Sequence, residues 1–266
     1  MEKTEVNQED RNCKNRKGQR HVHRNNWDDG NAHSQPVASS VAPAWHTIGV
    51  LLLLFGTVFL SGRAPAFAGR FSPRLATYFF IIAAEWVVLF VIWLGPRWGG
   101  ASVRTLAGDF APTWRSILRD LGLAVAFLIV ANFVLALESF LLTRILTGTS
   151  NQDPRGFLPQ GGLESAVFLL LVITAGICEE TIFRGYLQRQ FTRWTKSAAL
   201  GIAVQGILFG GYHARMGLAS VITNAVAGAL LYGVLAAWRR SLRPGMTAHI
   251  LGDAVGGLIL ARYLLK

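Results

Sequence analysis

Apolar residues in this chain gather into long runs, and polar ones into short breaks between them. The runs extend from about Trp45 to Leu60, Leu75 to Leu94, Leu121 to Leu142 and Leu163 to Phe191, then from Ser197 to His213, Leu218 to Trp238, and from Pro244 onward. A helix needs about 20 mostly apolar residues to cross the hydrocarbon layer, and most of these runs approach or exceed that length. The breaks carry the signals that end helices: Gly95-Pro96, the glycines and prolines between Gly148 and Gly162, and Arg239 to Pro244. The expected fold class is all-α, a polytopic transmembrane helix bundle of about seven to eight spans. The eighth would be a half-span or interfacial helix within 101–119, a stretch that mixes glycine, arginine and scattered apolar residues.

Residues 1–43 show no apolar period and are rich in Asn, Asp, Arg and His, which predicts a disordered polar tail. The transmembrane helical domain then covers 44–266. No short basic stretch leads directly into the first apolar run, so that run reads as a first span and not as a cleaved leader. Composition agrees with a membrane protein: 52% of residues are hydrophobic and only 15% are charged. A net charge of +11 would suggest a nucleic-acid partner in a soluble protein. Here the Lys and Arg lie mostly in the tail and the short connections, where they set topology, so no nucleic-acid partner is expected. More of them fall on the side of the tail, which predicts a cytoplasmic N-terminus in an integral protein of a bacterial plasma membrane. Cys13 and Cys178 are too few and too differently placed to form a disulfide framework.

Ionisable residues inside the apolar runs are the candidates for chemistry, because each costs at least about 2.5 kcal/mol at the bilayer centre. Glu85 in the second run is expected to pair with an arginine or a backbone group. Asn132 and Glu138 in the third are expected to face protein. The densest cluster is Cys178-Glu179-Glu180-Thr181-Ile182-Phe183-Arg184, at the end of the fourth run. Two later segments hold possible partners, Phe209 to His213 and His249 to Asp253. His249 and Asp253 are four residues apart, so they share a helix face. With a rise of about 1.5 Å per residue, Glu179 and His213 lie at similar depths from the turn near Arg193, whereas His249 and Asp253 lie somewhat shallower.

Hydrolysis of a peptide bond needs a base to activate water, a donor for the oxyanion and a proton for the leaving amine. A carboxylate held away from bulk water beside a second carboxylate suits the base, and Glu179 beside Glu180 meets that description. Glu180 and Arg184, at i and i+4, can pair with each other and leave Glu179 for chemistry. An imidazole across a cavity can orient the water or move a proton.

The three segments resemble the ordered motifs of the CPBP intramembrane proteases, which include the type II CAAX prenyl proteases and the Abi-type bacteriocin-processing proteins. Those motifs read E-E-x-x-x-R, F-x-x-x-H and H-x-x-x-N or H-x-x-x-D; Glu179 to Arg184, Phe209 to His213 and His249 to Asp253 match them in order. The resemblance covers roughly 165–265 and places a protease core at about 163–266. It implies an intramembrane endopeptidase with Glu179 as base, His213 helping to activate the water, and His249 with Asp253 at the oxyanion. Glu180, Arg184 and Phe209 would support these four. Asp253 stands where many members carry Asn; it can donate to an oxyanion only when protonated, and as a carboxylate would fix the His249 tautomer or bind a metal.

The resemblance accommodates a metal-free glutamate mechanism, the expectation adopted here, with no cofactor. Zinc is the alternative, and His213, His249 and Glu179 would then be its ligands. The chain has no H-E-x-x-H to favour it. Two other classes fit an acid-bearing membrane bundle: a proton-coupled transporter using Glu85, Glu138 and the Glu pair, and a non-catalytic scaffold or immunity protein. The expected partners are the bilayer and a membrane-associated peptide or protein substrate, prenylated or bacteriocin-like. The residues do not choose between those substrates, nor do they indicate an oligomeric state.

Overall fold

A computed structural model of the chain describes residues 41–67, 69, 72–99, 106, 113–145 and 154–264. Most of the expected polar tail, residues 1–40, lies outside them, as does most of the stretch expected to hold a half-span or interfacial helix. The described residues form an all-α bundle without strands. Its seven helices are α1 (Ala44–Ser61), α2 (Pro73–Gly99), α3 (Trp114–Ile145), α4 (Gly162–Thr195), α5 (Ala198–Tyr212), α6 (Leu218–Arg239) and α7 (Arg243–Leu264). Each coincides with one apolar run.

Five of the seven, α1 to α4 and α6, are long and apolar enough to cross a membrane, which is fewer than the seven to eight spans expected. Helix α5 has only 15 residues. Helix α7 has 22, but His249, Asp253, Arg262 and four glycines lower its hydropathy. The residues that make α7 useful to a site are the ones that make it a poor span by composition.

Helix α4 is the centre of the bundle, with 61% of its apolar window buried, whereas α3 stands at the edge with 6%. Cys178, Ile182, Phe183, Tyr186 and Leu187 of α4 pack with Val50 and Leu54 of α1, Val88 and Ile92 of α2, and Phe209 of α5. A second cluster joins Leu75 and Tyr78 of α2 to Phe168, Leu171 and Val172 of α4. The outer faces carry large apolar side chains such as Leu52, Phe59, Phe90, Ile129, Phe133, Ile145 and Leu230, an arrangement suited to lipid. Asn132, expected to face protein, lies on the exposed face of α3. Its amide donates to the Leu128 carbonyl at 2.8 Å, so the helix itself satisfies the group.

Polar contacts fix both ends. At one end Asp120 on α3 forms an ion pair with Arg243 of α7 at 2.7 Å and accepts from Arg239 of α6 at 3.3 Å. At the other, Glu164 on α4 accepts Ser72 Oγ and the Gln160 amide, each at 2.6 Å, and Tyr78 donates to the Phe157 carbonyl. These bonds hold the segment before α4 against the start of α2. Near the Asp120 end, the Tyr186 hydroxyl meets His46 Nδ1 and Thr47 Oγ1 of α1, both at 2.9 Å. Val41 and Ala42, at the end of the expected tail, are buried, and the Ala42 backbone exchanges two hydrogen bonds with Gln190.

Candidate active site

The ladder of α4 is interrupted where the glutamate pair begins. Residues Glu180–Leu187 are π-helical, and so are Ala227–Gly233 of α6. A π segment holds an extra residue in the turn, which rotates the side chains that follow and frees carbonyls for other donors. Those donors are present: Gln205 Nε2 and Arg184 Nη2 reach the Gly228 carbonyl at 2.6 and 3.5 Å, and Gln188 Nε2 reaches that of Gly233 at 3.1 Å. Helices α5 and α6 come close enough for this because Gly206 and Gly210, four residues apart, face Ala225, Ala229 and the Val221 carbonyl, where a Cβ would collide.

Glu180 and Arg184 form a buried ion pair, Oε1 to Nη1, of 3.1 Å. The guanidinium also lies over the Phe209 ring, 4.3 Å from its centroid, and 5.2 Å from that of Tyr232. Phe209 thereby links α5 to α4, and its own ring edges against His213 and His249. These three residues are the floor of the site.

His249, buried on α7, meets the floor with Nδ1 and two further carboxylates with Nε2. Nδ1 is 3.2 Å from Glu180 Oε1; Nε2 is 3.4 Å from Asp253 Oδ2 and 3.7 Å from Glu179 Oε2. A ring offering N–H on both sides fits between those oxygens. Asp253 is half-exposed and stands one turn above His249. The close approach of α7 to α4 depends on Gly176, whose position a Cβ would contest with Ile250, and on Gly245, which faces Glu180 Oε2.

Above the floor is a cavity of about 650 Å³. Glu179, His213 and Asp253 line it, with Glu85, Asn224 and Arg215 adding further polar groups and Phe80, Phe168, Leu171 and Val172 giving apolar walls. It reaches the exposed residues Gly62, Pro65, Arg215 and Met216, at the end of the bundle away from Asp120. His213 Nδ1 is 2.9 Å from the Phe209 carbonyl and donates to it. In the neutral ring Nε2 is then an acceptor. The expected depth difference between His249 and the other two does not separate them: all three histidine and glutamate positions meet at one cavity or its floor.

Glu85 departs from its expectation. The charged groups facing it are Glu179, His249 and Asp253, not an arginine. The sequence singled it out as an acid within a span, but α2 lies far from the motif segments in the chain and only packing brings it to them. Tyr232, whose ring centroid is 5.6 Å from that of His249, carried no signal at all in a sequence where tyrosine is ordinary. Among the described residues no group of three or more His, Cys, Asp or Glu that could hold a metal ion is found.

Residues 162–255, the stretch containing all three motifs, match the family model "Type II CAAX prenyl endopeptidase Rce1-like". Over these residues the chain is similar to that family. The match is consistent with the resemblance to CPBP proteases and, with five helices long and apolar enough to cross a membrane, supports a membrane-embedded endopeptidase in general terms. No curated protein and no solved structure matches the chain. Within the matched residues lie α4, α5, α6 and most of α7; α1 to α3, with Glu85, lie outside.

Proposed function

We propose that the chain hydrolyses peptide bonds of membrane-associated substrates by a glutamate-activated water, with no metal in the step. The observation that carries the reading is that Glu179, His213 and Asp253 line one cavity while His249 bridges its floor to Glu179 and Glu180. Glu179, free of the arginine that Glu180 occupies, takes a proton from water. His213, its Nδ1 committed to the Phe209 carbonyl, accepts the water's other hydrogen at Nε2 and aims its oxygen. As the carbonyl oxygen becomes an oxyanion, His249 donates to it from Nε2, and Asp253 steers the ring. Arg184 neutralises Glu180, and Glu180 in turn anchors His249 Nδ1.

The apolar walls suit an extended peptide attached to a lipid or to a membrane span. Prenylated CAAX-type and bacteriocin-like peptides are the substrate classes to test, in a bacterial plasma membrane with the N-terminus cytoplasmic. The experiment is cleavage of a panel of membrane-partitioning peptides, prenylated ones included, by detergent-purified protein, beside Glu179→Gln and with or without a strong chelator. Cleavage that is lost in the variant and kept with chelator is the expected result. Equal cleavage by the variant would overturn the catalytic role of Glu179, and loss with chelator would overturn the metal-free mechanism.

A further inference from the structure

Glu85 sits on α2, outside the residues matched to the family, and is 2% exposed. A carboxyl buried in a membrane helix normally finds a cation or a ring of donors. Among the described residues both of its oxygens are buried without a donor from the backbone or from an arginine or lysine, and the side chain it meets is the Glu179 carboxyl. It lines the same cavity as Glu179, His213 and Asp253, and its carboxyl faces that of Glu179. The other titratable groups around it are His249 and Asp253 of α7, Cys178 of α4 and Tyr212 of α5. A buried acid that lines the cavity and meets the carboxyl that activates water is placed for the one part of the reaction that the motif residues leave unassigned, the proton for the leaving amine.

We propose that Glu85 is a catalytic residue, the general acid that protonates the leaving amine, working across the cavity from Glu179; this rests on the endopeptidase reading. In the proposed cycle Glu85 starts with the proton and Glu179 starts as the carboxylate. Water gives its proton to the Glu179 carboxylate as its oxygen bonds to the carbonyl carbon, and the C=O electron pair moves to oxygen. On collapse that pair re-forms the carbonyl, the C–N bond breaks, and the nitrogen takes the proton of Glu85. The proton on Glu179 then passes to Glu85 and restores the pair. One water is consumed, one acid and one amine are formed, and no other reactant is needed.

A leaving group that departs without a proton has no use for Glu85. The test compares a peptide amide with an activated ester of the same acyl segment, in the wild type, Glu85→Gln and Glu179→Gln. Glu85→Gln is expected to lose amide cleavage by about 10²- to 10⁴-fold, the usual range for a general acid, and to keep ester hydrolysis within about threefold. Glu179→Gln should lose both. Retained ester hydrolysis also shows that the Glu85 variant is folded. Equal loss on both substrates, or undiminished amide cleavage, overturns the role of Glu85 while leaving Glu179 as base. A wild type inert towards both substrates overturns the endopeptidase reading, and the inference with it.

Discussion

Glu180 Oε1 and Arg184 Nη1 lie 3.1 Å apart on α4, with neither side chain reaching the surface. The pair also carries His249 on the carboxylate and Phe209 on the guanidinium, so one ion pair braces α5 and α7 against α4. Breaking a buried pair leaves an uncompensated charge, at a cost of about 3–5 kcal/mol. Arg184→Ala is therefore expected to lower the thermal midpoint in detergent markedly and to abolish cleavage. Arg184→Lys should recover little, because a lysine ammonium cannot reproduce the planar contact with Phe209. A midpoint for Arg184→Ala equal to that of the wild type would show that the pair does not hold the helices.

Asp253 is half-exposed and close to His249 Nε2, where an amide can replace the carboxylate as a steering group. Asp253→Asn is expected to keep cleavage within about tenfold. Asp253→Leu should lose about 10²-fold or more, the scale of a lost oxyanion contact. Steady-state kinetics on one peptide decide the point: a large loss in the Asn variant would require the carboxylate itself.

Gly210 and Gly49 form a matched contrast. A Cβ at Gly210 would strike the Val221 carbonyl and Ala225 on α6, whereas at Gly49 it would meet nothing within 4 Å. Gly210→Val is expected to destabilise by at least the 1–3 kcal/mol typical of overpacking, since the obstacle is partly backbone. Gly49→Ala should be neutral or slightly stabilising, by up to about 1 kcal/mol. Thermal unfolding of the two variants checks both; equal midpoints would mean that α5 and α6 can move apart freely.

The cavity reaches the surface near Met216, and Arg240 lies in the exposed turn at the Asp120 end. With the proposed cytoplasmic N-terminus, the mouth opens on the outer side. In a Cys13→Ser background, Met216→Cys should react with an impermeant thiol reagent added to intact cells, while Arg240→Cys should react only after permeabilisation. The reverse pattern would invert the orientation.

Much of the architecture was legible in the chain, because a bilayer reduces the local decision to length and hydropathy: each of the seven apolar runs became a helix. The pairing of Glu180 with Arg184 was also written locally, in an i to i+4 spacing on one helix. Span number was less legible. The short α5 and the polar, glycine-bearing α7 are helices whose place depends on α4 and α6 more than on lipid.

The sequence by itself determined the helices, their order and the motif residues, since these depend on neighbours a few positions away. The tertiary structure alone decided what stands opposite them. Glu85 meets Glu179 across nearly a hundred residues, Tyr232 comes to His249, and Asn132 turns outward. Such contacts follow from which helix faces meet, set here by glycine-mediated approach and by the π segments that rotate α4 and α6, and a hydropathy pattern along one chain does not encode that rotation.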